Sequence, residues 1–262
     1  MTTDLKKNVQ ILSDIENVNM EDQWFEIENE KHFWFEWRFK FLLKLLKKNN
    51  INLDEHLHVL DIGSGSGALS RQIEKHSNWT IDCVDMNQSI LEKNFRKRGS
   101  NYIYNIHDKN NMFQEKYNLV IIFDVIEHIE NVPKFLESAK FHLKKNGLIL
   151  INVPSIPSLY SVYDQQMGHF RRYNKKKLIS EFKDLDINII DLKFWGFSLI
   201  PFLFMRKIIL IFLKIKEKNI IEFGFKEKNI FFKVFMKIIM RIDIIIYNHK
   251  IGTSLMLLGE NN

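Results

Sequence analysis

The residues Asp61-Ile62-Gly63-Ser64-Gly65-Ser66-Gly67 carry the densest chemical information in this chain. They follow a short apolar run, and a helical pattern opens at Ala68. Three glycines at alternate positions let the backbone turn tightly and keep side chains away from a ligand. A helix opening there offers free N–H groups and the positive end of its dipole. Such a corner binds the polar part of a nucleotide-like ligand. Further along, Glu127-His128 sets a carboxyl beside an imidazole. Gly168-His169-Phe170-Arg171-Arg172-Tyr173 sets another imidazole beside two guanidiniums. Imidazoles suit proton transfer near neutral pH, and paired arginines suit an anion. Both motifs also have structural readings: Glu-His can start a helix, and Arg-Arg can anchor a segment through salt bridges.

These groups need a scaffold that brings them together. Apolar runs at 57–62, 80–84, 102–106, 119–123 and 148–153 alternate with helical patterns at 68–76, 89–98 and 132–143. That alternation predicts an α/β fold: a doubly wound, Rossmann-like, mostly parallel sheet with helices on both faces. A C-terminal helical cap is expected to complete it. Ligands of such sheets sit outside the carboxyl ends of the strands, at the switch point. Asp61, Asp85, Asp108 and Asp124 all fall at or just past those ends. Trp24, Phe25, Phe33, Trp34, Trp37, Phe41 and Leu45 recur at spacings of three and four, predicting helix within 21–50. Asn146-Gly147 reads as a turn and Thr253 to Leu258 as a last strand. The expected division is an N-terminal helical segment (1–50), a Rossmann-like core (51–155), an acceptor-binding cap with apolar helices (156–250) and a final core strand (251–262).

With 45 % hydrophobic and 27 % charged residues, the 262-residue chain is expected to build a core and not to be disordered. A single cysteine, Cys83, excludes an internal disulfide. The first nineteen residues lack the apolar stretch of a signal peptide, so the expected location is cytoplasmic or peripheral at a membrane surface. The formal charge of +6 comes with lysines spread through a composition rich in Ile, Asn and Phe, which disfavours a nucleic-acid partner. Residues 194–213 are strongly apolar but broken by Pro201 and by Arg206-Lys207. They predict a cap helix, a homodimer surface or an interfacial helix touching a membrane surface in preference to a membrane span.

Gly63, Gly65 and Ala68, with Asp85 further on, would also suit a dinucleotide. A carboxylate directly before the glycines argues otherwise, because Asp61 would repel a pyrophosphate and would suit an amino group. A ligand with an α-amino group, a ribose and a base fits the rim, which describes S-adenosylmethionine. Further motifs occur in order: His32-Phe33-Trp34-Phe35 with Arg38, VLDIGSGSG at 59–67, VDMN at 84–87, FDVIEHIEN at 123–131, LKKNGLILINVPS at 143–155, GHFRRYNKKKL at 168–178 and GTSLMLLG at 252–259. On these motifs the chain resembles the class I S-adenosylmethionine-dependent methyltransferases over roughly residues 30–182. It is most similar to the branch that includes the ubiquinone O-methyltransferases.

The resemblance implies roles. Asp61, Gly63, Ser64, Gly65 and Gly67 would surround the methionine part of the cofactor. Asp85 would accept from both ribose hydroxyls, Met86 would pack on the adenine, and Asp108 would reach the adenine amino group. Phe123 and Asp124 would line the wall near the sulfonium, and Arg38 would close over the cofactor carboxylate. Two departures stand out: Ser64 replaces the cysteine of many relatives, and Asn146-Gly147 replaces their Pro-Gly. Glu127, His128 and His169 are the candidate catalytic residues, because a hydroxyl acceptor needs a base for its proton. No resident metal is assigned; Asp124, Glu127 and His128 nevertheless have a spacing that could gather a divalent ion, as in the quinone relatives. The expected acceptor is a small or lipid-linked molecule, methylated at oxygen. The alternatives are a non-catalytic cofactor-binding or membrane-surface assembly protein, a nucleic-acid methyltransferase and a dehydrogenase.

Overall fold

A computed structural model describes residues 9–14, 32–94, 98–213 and 230–262. Trp24 and Phe25 of the predicted first helix, and residues 95–97 of the predicted helix 89–98, lie outside these.

One eight-stranded sheet organises the chain, with strand order β1-β4-β3-β2-β5-β6-β8-β7. Its strands are β1 (Val9–Ile11), β2 (His58–Ile62), β3 (Thr80–Asp85), β4 (Asn101–Ile103), β5 (Tyr117–Phe123), β6 (Leu143–Pro154), β7 (Ile187–Trp195) and β8 (Ser254–Asn261). From β1 to β6 all neighbours run parallel, while β8 lies antiparallel between β6 and β7. The central strands are near-continuous apolar runs because both sheet faces are covered. Thus Val59, Leu60, Leu119, Val120, Ile121 and Ile122 are all buried. The chain builds outward from β2 through β3 to β4, then returns to place β5 on the other side of β2. The switch point therefore lies between β2 and β5, and their carboxyl ends open the crevice that such sheets use for ligands.

The helices are α1 (Phe33–Lys48), α2 (Ala68–Glu74), α3 (Gln88–Leu91), α4 (Val132–Phe141), α5 (Val162–Gln166), α6 (Lys175–Ser180), α7 (Ile200–Leu213) and α8 (Ile230–Ile246). In α1 the His32 side chain accepts from the Trp34 N–H, and Lys47 and Lys48 close the last turn, where cations complement the helix dipole. Trp37, Phe41, Leu42 and Leu45 drive its burial. Phe41 stacks on Trp195 at 6.2 Å and on Tyr247 at 5.1 Å. Met236 and Met240 of α8 belong to the same core, and Lys237 of α8 pairs with Glu36 of α1 at 3.7 Å. The C-terminal helix is thereby held against the N-terminal one.

Several local expectations change. The strand expected over 102–106 stops at Ile103, because Asn105 caps a 3-10 turn over Ile106–Asp108. Of the helix expected over 89–98, the described residues up to Asn94 form a single turn, α3, started by Asn87. Asn146-Gly147 does not precede β6 but bulges within it: Leu143 pairs with Tyr117, and pairing resumes at Leu148 with Leu119. Asn146 takes a left-handed φ of 59° there. Two strands had no clear sequence signal. β1 is a three-residue edge, and β7 loses its period-two alternation at a register shift between Ile189 and Asp191.

His142, at the end of α4, is fully buried. Its Nδ1 lies 2.8 Å from the Ser138 carbonyl and its Nε2 3.0 Å from the Tyr104 hydroxyl. The carbonyl can only accept, so Nδ1 carries the proton and Nε2 accepts from Tyr104. Burial depresses its pKa to about 4, so the unfolded chain takes up the proton first as pH falls. The stability His142 contributes is full above the ordinary histidine pKa and drains away below it. Between roughly pH 7 and pH 5 this group alone should remove about 2 kcal/mol of unfolding free energy. Urea titrations of wild type and His142→Gln at both pH values measure it. Equal pH slopes in the two proteins would refute the assignment.

Candidate active site

A cavity of about 380 Å³ opens at the carboxyl ends of β2, β3 and β5. Its walls include Asp61, Gly63, Ser64 and Gly65 from the glycine loop, Asp85 and Met86 from β3, and Phe123 and Asp124 from β5. Arg38 and Phe35 of α1 close one side. Tyr104, Asn105, Ile106 and His107 close another, and His128 stands at the mouth with Val125. A cavity of this size lined by apolar surface and a few converging polar groups suits a small-molecule ligand.

The glycine loop follows β2 and is tied to β3. The Gly63 N–H donates to the Val84 carbonyl at 2.9 Å, and the Gly65 N–H donates to Asp85 Oδ2 at 2.8 Å. Asp85 Oδ1 accepts from the Asn87 N–H at 2.9 Å. One carboxylate therefore fixes both the loop and the start of α3. Burial pushes the Asp85 carboxyl up, against the pull of the N–H groups of Asn87, Gly65 and Met86. Gly63 needs to be glycine twice over: its φ is +70°, and an added Cβ would stand 2.4 Å from Val125 Cγ2. Below the loop Asp61 is buried and accepts from the Ser70 hydroxyl at 2.6 Å.

Arg38 meets the rim across 86 residues of sequence, where its Nη1 donates to Asp124 Oδ2. The guanidinium lies over the rings of Trp34, Phe35 and Phe123 at 4.9, 5.0 and 5.5 Å, a favourable cation–π cage. Asn152 donates to the other carboxylate oxygen of Asp124 at 2.7 Å and accepts from the Trp195 indole at 2.8 Å. Asp124 sits in the left-handed region at φ 57°, a conformation costing about 1–2 kcal/mol that the surrounding bonds hold in place. Two buried polar atoms on the cavity wall, Arg38 Nε and Ser64 Oγ, have no hydrogen-bond partner among the described residues. Orphaned buried donors of this kind are costly, and a polar ligand would satisfy them.

Four sequence-picked residues stand apart from the cavity wall: Asp108, Gly67, Glu127 and His169. Asp108 turns toward β1 and accepts from the Ser13 hydroxyl at 2.5 Å; Asn105 and His107 of the same turn line the wall instead. Gly67 caps α2 at φ +77°, where a Cβ would collide with Asn94. Glu127 is fully buried behind the mouth, with neither carboxyl oxygen hydrogen-bonded among the described residues. Burial, with Asp124 nearby, lifts its pKa well above the usual carboxyl value.

His128 and His169 meet edge to face at 4.7 Å. Burial lowers the His128 pKa to about 3, with His169 adding to the effect, so His128 is neutral throughout the physiological range. His169 Nδ1 lies 3.2 Å from Asp164 Oδ1, and Arg172 Nε donates to the same oxygen at 2.7 Å. Arg172 also donates to the Ser155 carbonyl at 3.2 Å, and Arg171 donates to the Glu130 carbonyl at 3.1 Å. The paired arginines thus anchor the segment over the site and do not present an anion cradle. Asp164, which sequence reasoning passed over, is the hub of this arrangement. Its only advance signal was an acidic side chain five and eight residues before His169 and Arg172.

Glu127, His128 and His169 offer ligand atoms within 4.8 Å of one another. A divalent ion would find its third ligand in His169 and not in Asp124, whose oxygens already serve Arg38 and Asn152.

A family model described as a methyltransferase domain matches residues 32–192. The ubiquinone biosynthesis O-methyltransferase of Rickettsia felis is 26 % identical over 121 residues, covering 44 % of this chain and 48 % of that protein. The chain spans about half the length of the curated relatives it matches. Among solved structures, coclaurine N-methyltransferase bound to N-methylheliamine and SAH is similar at TM-score 0.57 and 15 % identity, covering 93 % of this chain and 80 % of that one. Phosphoethanolamine N-methyltransferase 2 of Haemonchus contortus, solved with S-adenosyl-L-methionine, is similar at TM-score 0.53 and 17 % identity, covering 83 % and 51 %. At such identities these two structures speak for the fold.

Proposed function

The chain belongs to the methyltransferase-domain family, and from that premise we propose that it transfers a methyl group from S-adenosylmethionine to the oxygen of a small or lipid-linked acceptor. The observation that carries this reading is the cavity at the switch point. It joins a glycine loop, the Asp85 carboxylate and the two orphaned polar atoms of Arg38 and Ser64. When bound, S-adenosylmethionine supplies a methyl group already activated on sulfur. The protein's task is then positioning and exclusion of water.

In this reading Asp85 accepts from the ribose hydroxyls with lone pairs left over from its two backbone bonds. Ser64, Gly65 and Arg38 hold the amino-acid end, with Asp61 beneath the loop, and Met86 packs on the base. Asn105 and His107 take the place that the resemblance gave to Asp108. Phe123 and Asp124 form the wall toward the acceptor. His169, oriented through Nδ1 by Asp164, takes the acceptor's proton on Nε2. His128, neutral because it is buried, shapes the mouth and offers one ring nitrogen as an acceptor without taking up a second proton. The choice of oxygen leans on the names of the Rickettsia relatives.

The test is transfer of labelled methyl to two acceptor sets, hydroxylated aromatics with and without a prenyl tail, and amines such as phosphoethanolamine. Methylation of the hydroxyl set at a rate well above the amine set is expected. Methylation of amines alone would overturn the oxygen assignment, and no turnover with any acceptor despite cofactor binding would favour a non-catalytic cofactor-binding role.

A further inference from the structure

We infer that α7 and α8 form a docking face that lies in the surface of an anionic lipid bilayer. On α7 the exposed side chains of Phe204, Ile211 and Phe212 fall within about 100° of helical arc. On α8 those of Phe235, Ile238 and Ile245 do the same. Phe212 and Ile245 are 79 % and 76 % exposed, an unusual state for large apolar groups sharing a face. The ring of Phe235 lies 6.4 Å from that of Phe202 on the inner side of α7, so the two helices adjoin. No helix among the described residues is long and apolar enough to cross a membrane. A helix pair of this length with one greasy face lies in the interface and does not span.

Charge selects the occupant. Residues 200–213 and 230–250 contain six Lys or Arg and one Asp or Glu, a net +5 against +6 for the whole chain. The remainder of the chain is thus nearly neutral, and the excess falls on the two apolar helices and just past α8. Arg241, exposed on α8, lies at the edge of its apolar face. Basic residues beside buried apolar anchors match an anionic lipid surface, whereas a second copy of the same face would bring like charges together.

The face is also keyed to the site. Arg206 of α7 lies 3.8 Å over the Tyr163 ring, and Lys207 donates to the Ser158 carbonyl at 2.6 Å. Tyr163 adjoins Asp164, which orients His169. Docking does not depend on the methyl-transfer reading; delivery of a bilayer-held acceptor past α7 does.

Cosedimentation of the full chain with vesicles tests it, comparing phosphatidylcholine alone with phosphatidylcholine containing phosphatidylglycerol. Binding to the anionic vesicles, about tenfold weaker to the neutral ones, is expected. A Phe212→Glu/Ile245→Glu double variant with unchanged thermal unfolding should also bind about tenfold more weakly. No vesicle binding, or equal binding to both compositions, overturns the proposal. So does a dimer in ultracentrifugation that the double variant dissociates, since the face would then join two subunits. Vesicle binding without methyl transfer would leave docking standing and remove only the catalytic reading.

Discussion

Replacing Asp85 with alanine should abolish cofactor binding while leaving the fold intact. The carboxylate accepts the Gly65 and Asn87 N–H groups, so its loss frees the glycine loop from β3 and removes the acceptor proposed for the ribose. Hydrogen bonds to a charged group contribute about 1.5–3 kcal/mol each. Losing the two bonds proposed to the ribose hydroxyls should weaken S-adenosylhomocysteine binding by about a hundredfold or more. The carboxylate stands at the edge of the sheet's end and not within either core cluster, so thermal unfolding should move little. Calorimetric titration of both proteins with S-adenosylhomocysteine and with NAD decides it. Equal affinity in the variant would remove Asp85 from the site. Binding of NAD in place of S-adenosylhomocysteine would return the loop to its dinucleotide reading.

The second large effect is expected at His169. With the imidazole held by Asp164, a change to alanine should lower kcat by about 10²–10⁴-fold on a hydroxyl acceptor, with S-adenosylhomocysteine affinity unchanged. An amine acceptor presents a free lone pair once deprotonated and should lose far less, so the ratio of the two losses reads out oxygen chemistry. Asp164→Asn should reproduce part of the fall by releasing the ring. His128→Ala should act differently. Because burial holds His128 neutral down to about pH 3, it contributes no acid limb to the rate between about pH 5 and pH 8. The acid limb of wild type should therefore persist in His128→Ala. A kcat that His169→Ala leaves unchanged would move the base elsewhere, with Glu127, His128 and His169 then to be tested as metal ligands by chelation.

Much of this was local and therefore legible. The strand–glycine–helix corner depends on residues within a dozen positions of one another, so spacing alone announces it: apolar residues make β2, glycines permit the positive φ values, and Ala68 opens α2. The central strands were equally plain, because burial on both faces demands unbroken apolar runs. Asp85 followed from its place at the end of β3. These features, with the parallel alternation, were enough to predict the sheet, the crevice and the class of ligand.

What remained depended on groups distant in sequence, and no periodicity encodes such meetings. Arg38 could be suspected, but its lodging among three aromatic rings and on Asp124 exists only once α1 is laid across the end of the sheet. Asp108 had the right type at the right strand end, yet the 3-10 turn capped by Asn105 rotates it away toward Ser13, two residues past a strand too short to be foreseen. Arg171 and Arg172 read equally well as an anion cradle or as anchors. The burial of Asp164 made them anchors, because a carboxylate removed from water must be met by donors. The sequence determined the corner proposed to hold the ligand, since short-range backbone chemistry builds it. Tertiary packing alone decided which charged side chains line the cavity, since each buried charge takes the partner that the fold brings within reach.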